Sequence, residues 1–119
     1  MKFDLRRPCA GCPFRRDCLE GWLGEARAQE IATSIVREDN LFPCHKTTGA
    51  GGGRRRKKAD QQMCAGAEML VEKVGNRNAS LQILERLGFR DPFRLDMTAP
   101  VFDTVAEFVA HHKRSDARD

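Results

Sequence analysis

Pro8-Cys9-Ala10-Gly11-Cys12-Pro13-Phe14-Arg15-Arg16-Asp17-Cys18 gathers three of the chain's five cysteines into one short run. A thiolate is a soft ligand, and C-x2-C lets two sulfurs converge on one metal or cluster from a single turn of backbone. Gly11 and Pro13 bracket Cys12 and predict a tight turn there. Cys44, in Phe42-Pro43-Cys44-His45, and Cys64, in Met63-Cys64-Ala65-Gly66, follow singly. On this reading Cys9 and Cys12 begin a metal site that Cys44 and Cys64 complete, with Cys18 and His45 as alternative donors. Zinc ribbons usually offer two C-x2-C pairs, whereas this chain has one pair and then singletons. A proline directly after a cysteine ligand also occurs in ferredoxin-type runs. Both features favour a [4Fe-4S] cluster over Zn2+. Buried or redox-active cysteines without metal are the third reading, because cysteine is among the most buried residue types.

The 119 residues fit one domain, of a size at which a metal often supplements a modest core. Residues 1–112 are expected to form that domain, with a flexible basic loop at 46–59 and a disordered tail at 113–119. Hydrophobic residues are 40% and charged residues 32% of the chain, a soluble, globular balance. No apolar run approaches the roughly 20 residues of a membrane helix, and residues 1–7 lack the apolar core of a signal peptide. A reducing cytoplasm is therefore expected, where clustered cysteines more often bind metal than pair as disulfides. The odd cysteine count agrees.

Periodicity predicts an all-α protein of about four short helices, with irregular loops around the cysteine site. The first spans about 25–37, with Ala28, Ile31, Ala32 and Ile35 on one face. The second spans about 61–74, capped by Asp60 and stopped by Gly75. Cys64 is expected in its first turn, where the helix dipole favours a thiolate. Asn78 or Ser80 caps a third helix through Leu81, Leu84 and Leu87, and Gly88 stops it. A fourth begins after Thr98, with Pro100 in its first turn and Val101, Val105, Phe108, Val109 and His112 on one face. Trp22, between Gly21 and Gly24, is expected as a core anchor. The C-terminal helices, having apolar faces of their own, are expected to depend little on the cysteines.

Pro8-Cys9-x-x-Cys12-Pro13-Phe14-Arg15, Phe42-x-Cys44-His45 and Cys64-Ala65-Gly66 together resemble a family of small uncharacterised proteins. These are encoded by bacteriophages and actinobacteria and carry C-x2-C-P-[YF]-R, F-x-C-H and C-A-G in this order. The resemblance implies Cys9, Cys12, Cys44 and Cys64 as the shared ligand set, with His45 beside them and Cys18 outside it. It implies no activity. The Gly-rich basic insert between Cys44 and Cys64 departs from that pattern. A shorter stretch, Cys9-x2-Cys12-Pro13-x4-Cys18-Leu19-Glu20, is similar to the three-cysteine run of WhiB-like iron–sulfur regulators. That second likeness implies a cluster and makes Cys18 a candidate fourth ligand.

Net charge is +4, yet residues 46–58 hold Lys46, Arg54, Arg55, Arg56, Lys57 and Lys58 and no acid, so the remainder of the chain carries −2. Basicity is thus a property of one loop, whose functional reading is contact with a phosphate backbone. No aromatic residue interleaves these cations, and G-x4-G-K-[ST] is absent, so neither base stacking nor a Walker site is indicated. Cys44-His45 are sequence neighbours rather than a spatially convergent nucleophile–base pair, and no paired carboxylates stand out. The expectation is a non-enzymatic, phage-derived metalloprotein acting as an accessory module on nucleic acid or a host protein. The rival expectations are an iron–sulfur redox or nucleic-acid-processing component, and a zinc-stapled assembly factor.

Overall fold

The computed structural model describes residues 1–48 and 57–113, the His45 side chain excepted. Its helices are α1 (Glu25–Val36), α2 (His45–Thr48), α3 (Ala65–Lys73), α4 (Ala79–Arg86) and α5 (Val105–His112), with 3-10 turns at Lys58–Asp60 and Pro92–Arg94. Among the described residues there is no strand, and none of these helices is long and apolar enough to cross a membrane. The fold class is therefore small and helical. Of the tail expected to be disordered at 113–119, residues 114–119 fall outside the described set, as do residues 49–56 of the basic loop.

Two expected helices start later than periodicity suggests, and both shortfalls have one cause. Residues 61–64 are extended, with Cys64 as the N-cap of α3 in place of Asp60. Their backbone groups are taken by two other segments. Lys2 N–H donates to the Gln61 carbonyl at 2.8 Å and Met63 N–H to the Lys2 carbonyl at 2.9 Å. On the other side, Cys44 N–H donates to the Gln62 carbonyl at 2.7 Å and Cys64 N–H to the Phe42 carbonyl at 2.8 Å. Likewise, residues 98–103 are not helical. Val101 pairs antiparallel with Arg15, and Arg16 N–H donates to the Pro100 carbonyl at 2.6 Å. Helix α5 then starts from Thr104, whose hydroxyl accepts from Glu107 N–H at 3.1 Å. Tertiary pairing has overridden local propensity at both places. Asn78 rather than Ser80 caps α4, accepting from Leu81 N–H at 3.0 Å, and its amide also donates to the Ile35 and Asn40 carbonyls at the end of α1.

The core forms where α1 packs against α5 and α3. Phe14 and Phe108 stack with centroids 4.7 Å apart, and Phe42 meets Phe14 edge-on at 5.5 Å. Ile35, Met63, Met69, Leu70 and Leu81 complete it, all fully buried. Trp22 is not a core anchor, being 47% exposed. It rides a loop bent at Gly21 (φ 76°) and Gly24 (φ 83°), while the phenylalanines fill the interior.

Helix α3 has no solvent face over its first seven residues, Ala65 to Val71, all of them buried. That includes Glu68, fully buried with a charge that burial alone would make very costly. Arg90 Nε donates to it at 2.7 Å, and Arg94 reaches its other carboxylate oxygen. Arg90 also bonds Glu72 at 2.5 Å and Glu85 at 3.0 Å, and Arg94 Nε donates to the Leu5 carbonyl at 3.1 Å. Burial works against the Arg90 charge, but the bonds from Glu68 and Glu72 outweigh it and hold the guanidinium above its ordinary value. No buried side-chain nitrogen or oxygen among the described residues lacks a partner. Removing one member of such a network leaves an uncompensated buried charge, typically a loss of about 3–5 kcal/mol. Glu68→Ala should therefore lower the urea midpoint by a large fraction of the parent's, and Glu68→Ala/Arg90→Met should recover part of the loss. A single-variant midpoint equal to the parent's would show that the network is not needed for stability.

Candidate metal centre

The Cys9–Cys12 turn is closed by Cys12 N–H donating to the Cys9 carbonyl at 3.1 Å, and Arg15 N–H continues it onto the Cys12 carbonyl at 3.2 Å. Cys44 directly precedes α2, and its carbonyl accepts from Thr47 N–H at 2.9 Å. Cys64 caps α3. Because Cys44 and Cys64 lie on adjacent paired segments, and α3 buries its first turn against the Cys9–Cys12 turn, the thiols converge. Cys12 Sγ lies 3.4 Å from Cys64 Sγ. Cys9 is within hydrogen-bond reach of both Cys12 and Cys44, and Cys44 feels the charge of Cys64. The predicted residues Cys9, Cys12, Cys44 and Cys64 are thus brought together from three distant stretches of chain. Among the described residues, no group of three or more His, Cys, Asp or Glu side chains stands as a ready-made metal-holding set, so the contacts are pairwise.

Gly66 makes this approach possible. A Cβ at that position would meet Cys12 Sγ at 2.7 Å, Phe14 Cβ at 2.9 Å and Pro8 Cβ at 3.3 Å. The glycine is required here by close approach, not by a left-handed backbone.

Proximity and burial push the Cys12 thiol strongly up. Contact with Cys64 is the largest cause, then contact with Cys9, then desolvation. Burial raises Cys44 as well. One opposing device recurs at both residues: the backbone N–H two positions on, from Phe14 and from Lys46, donates to the sulfur and favours its thiolate. A cation beside Cys12 and Cys44 would favour their thiolates, the forms to which those N–H groups donate.

Cys18 belongs to a different environment. Its sulfur lies 3.5 Å from the Pro13 carbonyl and 3.8 Å from His112 Nε2. His112 Nδ1 accepts from Leu23 N–H at 3.3 Å, which leaves Nε2 to donate to the Pro13 carbonyl at 2.8 Å. Burial depresses the pKa of this ring, in keeping with a neutral imidazole. The periodicity places His112 on the apolar face of the last helix, and there it is fully buried and props the proline that follows Cys12. Helix α5 packs on the cysteine turn through His112 and Phe108. The signal was present in the period that put His112 on the apolar face. His45 begins α2, and its expected place beside the ligands lies outside the described residues, as do Arg54, Arg55 and Arg56. Lys46, Lys57 and Lys58 are exposed at the two ends of the basic segment.

A family model described as "Family of unknown function (DUF6283)" matches residues 4–119. The chain belongs to that family. The match spans the cysteine centre, the basic insert and the C-terminal helices alike. No curated protein and no solved structure matches the chain.

Two variants separate these roles. Gly66→Ala forces a methyl into sulfur and backbone-adjacent carbon, where overpacking typically costs about 1–3 kcal/mol. It should lower the thermal midpoint and loosen the thiols, read as faster alkylation of Cys12. Cys18→Ser should leave both the melt and the reactivity of the other four cysteines close to the parent's. Equal alkylation rates in Gly66→Ala and parent would refute the close-approach argument.

Proposed function

We propose that this chain is a non-enzymatic module in which Cys9, Cys12, Cys44 and Cys64 hold one metal ion and which offers its basic segment to the phosphate backbone of a nucleic acid. The contact that carries this reading is Cys12 Sγ to Cys64 Sγ at 3.4 Å. Sulfurs bound to one tetrahedral zinc at about 2.3 Å stand roughly 3.8 Å from one another. A [4Fe-4S] core occupies the space between its thiolates and spreads them wider. Sequence spacing alone favours the cluster, but the crowding of the thiols supports Zn2+ instead. The donor set fits that ion: four soft thiolates, two of them already receiving backbone N–H groups.

The centre also sets where the basic segment stands. Gln62 N–H donates to Thr47 Oγ1 at 3.0 Å, so the chain leaves and re-enters beside Cys44. The segment is therefore an insert held at both ends by the site. Its six cations without an acid suit counterion release from a polyanion better than recognition of a neutral surface.

Elemental analysis of anaerobically purified full-length protein tests the first half. One zinc per chain is expected. Iron with acid-labile sulfide would favour the cluster, and neither metal would remove the site. Metal-binding free energy becomes folding energy in small domains, on the order of 10 kcal/mol for structural zinc. Serine at any of the four cysteines should therefore cost both metal and a cooperative melt. For the second half, Arg54→Ala/Arg55→Ala/Arg56→Ala should fold normally and lose duplex-DNA affinity. The slope of log K against log salt should flatten by about 0.9 per lost phosphate contact. An unchanged slope would sink the nucleic-acid reading.

A further inference from the structure

The four thiols are not equally covered. Cys12, Cys44 and Cys64 are 1%, 5% and 4% exposed, whereas Cys9 is only partly buried. Cys9 thus stands at the outer edge of the centre, with Cys12 three residues on and within hydrogen-bond reach of its sulfur. Their shared turn, closed by Cys12 N–H on the Cys9 carbonyl, needs no other segment to hold it. An oxidant arriving from solvent meets one sulfur, and a second sulfur already lies behind it.

We propose that Cys9 is an oxidative modification site, resolved by Cys12, through which a peroxide releases the metal. This rests on the metal-centre reading above. The Cys9 thiolate attacks one oxygen of hydrogen peroxide. The O–O bond breaks, hydroxide leaves, and the sulfur is oxidised by two electrons to a sulfenic acid. The Cys12 thiolate then attacks that sulfur. The S–S bond forms, the S–O bond breaks, and a second hydroxide departs. Two of the four thiolates are consumed, and Cys44 and Cys64 alone hold a zinc ion far more weakly. The pairing is local, so reduction by a dithiol and added zinc restores the site without refolding of distant segments.

The test uses the full-length, zinc-loaded protein treated with graded hydrogen peroxide. Zinc release is followed with a chromogenic chelator, and cysteine oxidation is mapped by differential alkylation and mass spectrometry. The expected result is stoichiometric zinc release in step with a Cys9–Cys12 disulfide, reversed by dithiothreitol plus zinc. Cys18→Ser should release zinc at the parent's rate. Zinc-loaded protein whose first oxidised residues are Cys12 with Cys64, or Cys18, overturns this inference alone, and so does a Cys9–Cys12 disulfide that leaves zinc bound. Protein purified without zinc overturns the metal-centre reading itself, and the release step with it.

Discussion

The close approach of the first turn of α3 to the Cys9–Cys12 turn is the constraint that the remaining structure obeys. Gly66 presents a bare Cα where any Cβ would press on the Cys12 sulfur and on Phe14. That vacancy admits the sulfur to within 3.4 Å of Cys64. It also fixes Phe14, and through Phe14 the stack on Phe108 that brings α5 into the core. A small helical domain has few ways to hold an irregular N-terminus. Here the N-terminus is buried against a helix start, so its turn acts as part of the core.

A second clamp lies one helical turn further along α3. Glu68 N–H donates to the Cys64 carbonyl at 3.1 Å, so the cysteine cap and the buried carboxylate are consecutive rungs of one helix. Glu68 gathers Arg90 and Arg94, and Arg94 in turn bonds the Leu5 carbonyl just upstream of Cys9. Asp96 N–H adds a bond to the Arg6 carbonyl at 2.9 Å. The strand-like N-terminus is thereby held from both sides, by sulfur contacts at one end and by an ion-pair network at the other. Separating Glu68 from its arginines would leave a buried charge uncompensated, so arrangements that pull them apart are heavily penalised. The two clamps on one helix explain why α3 can be enclosed all round without slipping in register.

Much of this was legible in sequence, and the failures share one cause. The span of α1, the Asn78 cap and the gathering of Cys9, Cys12, Cys44 and Cys64 follow from local spacing and ligand chemistry. What failed depended on partners distant in the chain. Residues 61–64 and 98–103 carry helical periodicity, but Lys2, Phe42, Phe14 and Arg16 claim their backbone groups. Glu68 is fully buried, and nothing local announces that Arg90 and Arg94 will enclose it. His112 lay on the apolar face, yet its partners Pro13 and Leu23 are far upstream.

The basic insert can then be understood through its ends. Loop-closure entropy grows slowly, by about 0.6 kcal/mol for each doubling of length, so inserting a glycine-rich run costs little once its ends are fixed. Fixing them is the work of the Cys44–Gln62 and Gln62–Thr47 bonds. Those bonds sit on the segments that carry Cys44 and Cys64. A cation bound among the thiols would stiffen both segments together, while four thiolates around one divalent ion leave a net charge of about −2 at the base of the insert. Lys46, at the first end of the insert, also donates its backbone N–H toward the Cys44 sulfur. The basic run carries like charges that repel one another, a cost that a nearby negative centre would offset without consuming a side-chain partner. The cysteines and the two ends of the basic run, which read as separate features in sequence, thus share the same paired segments.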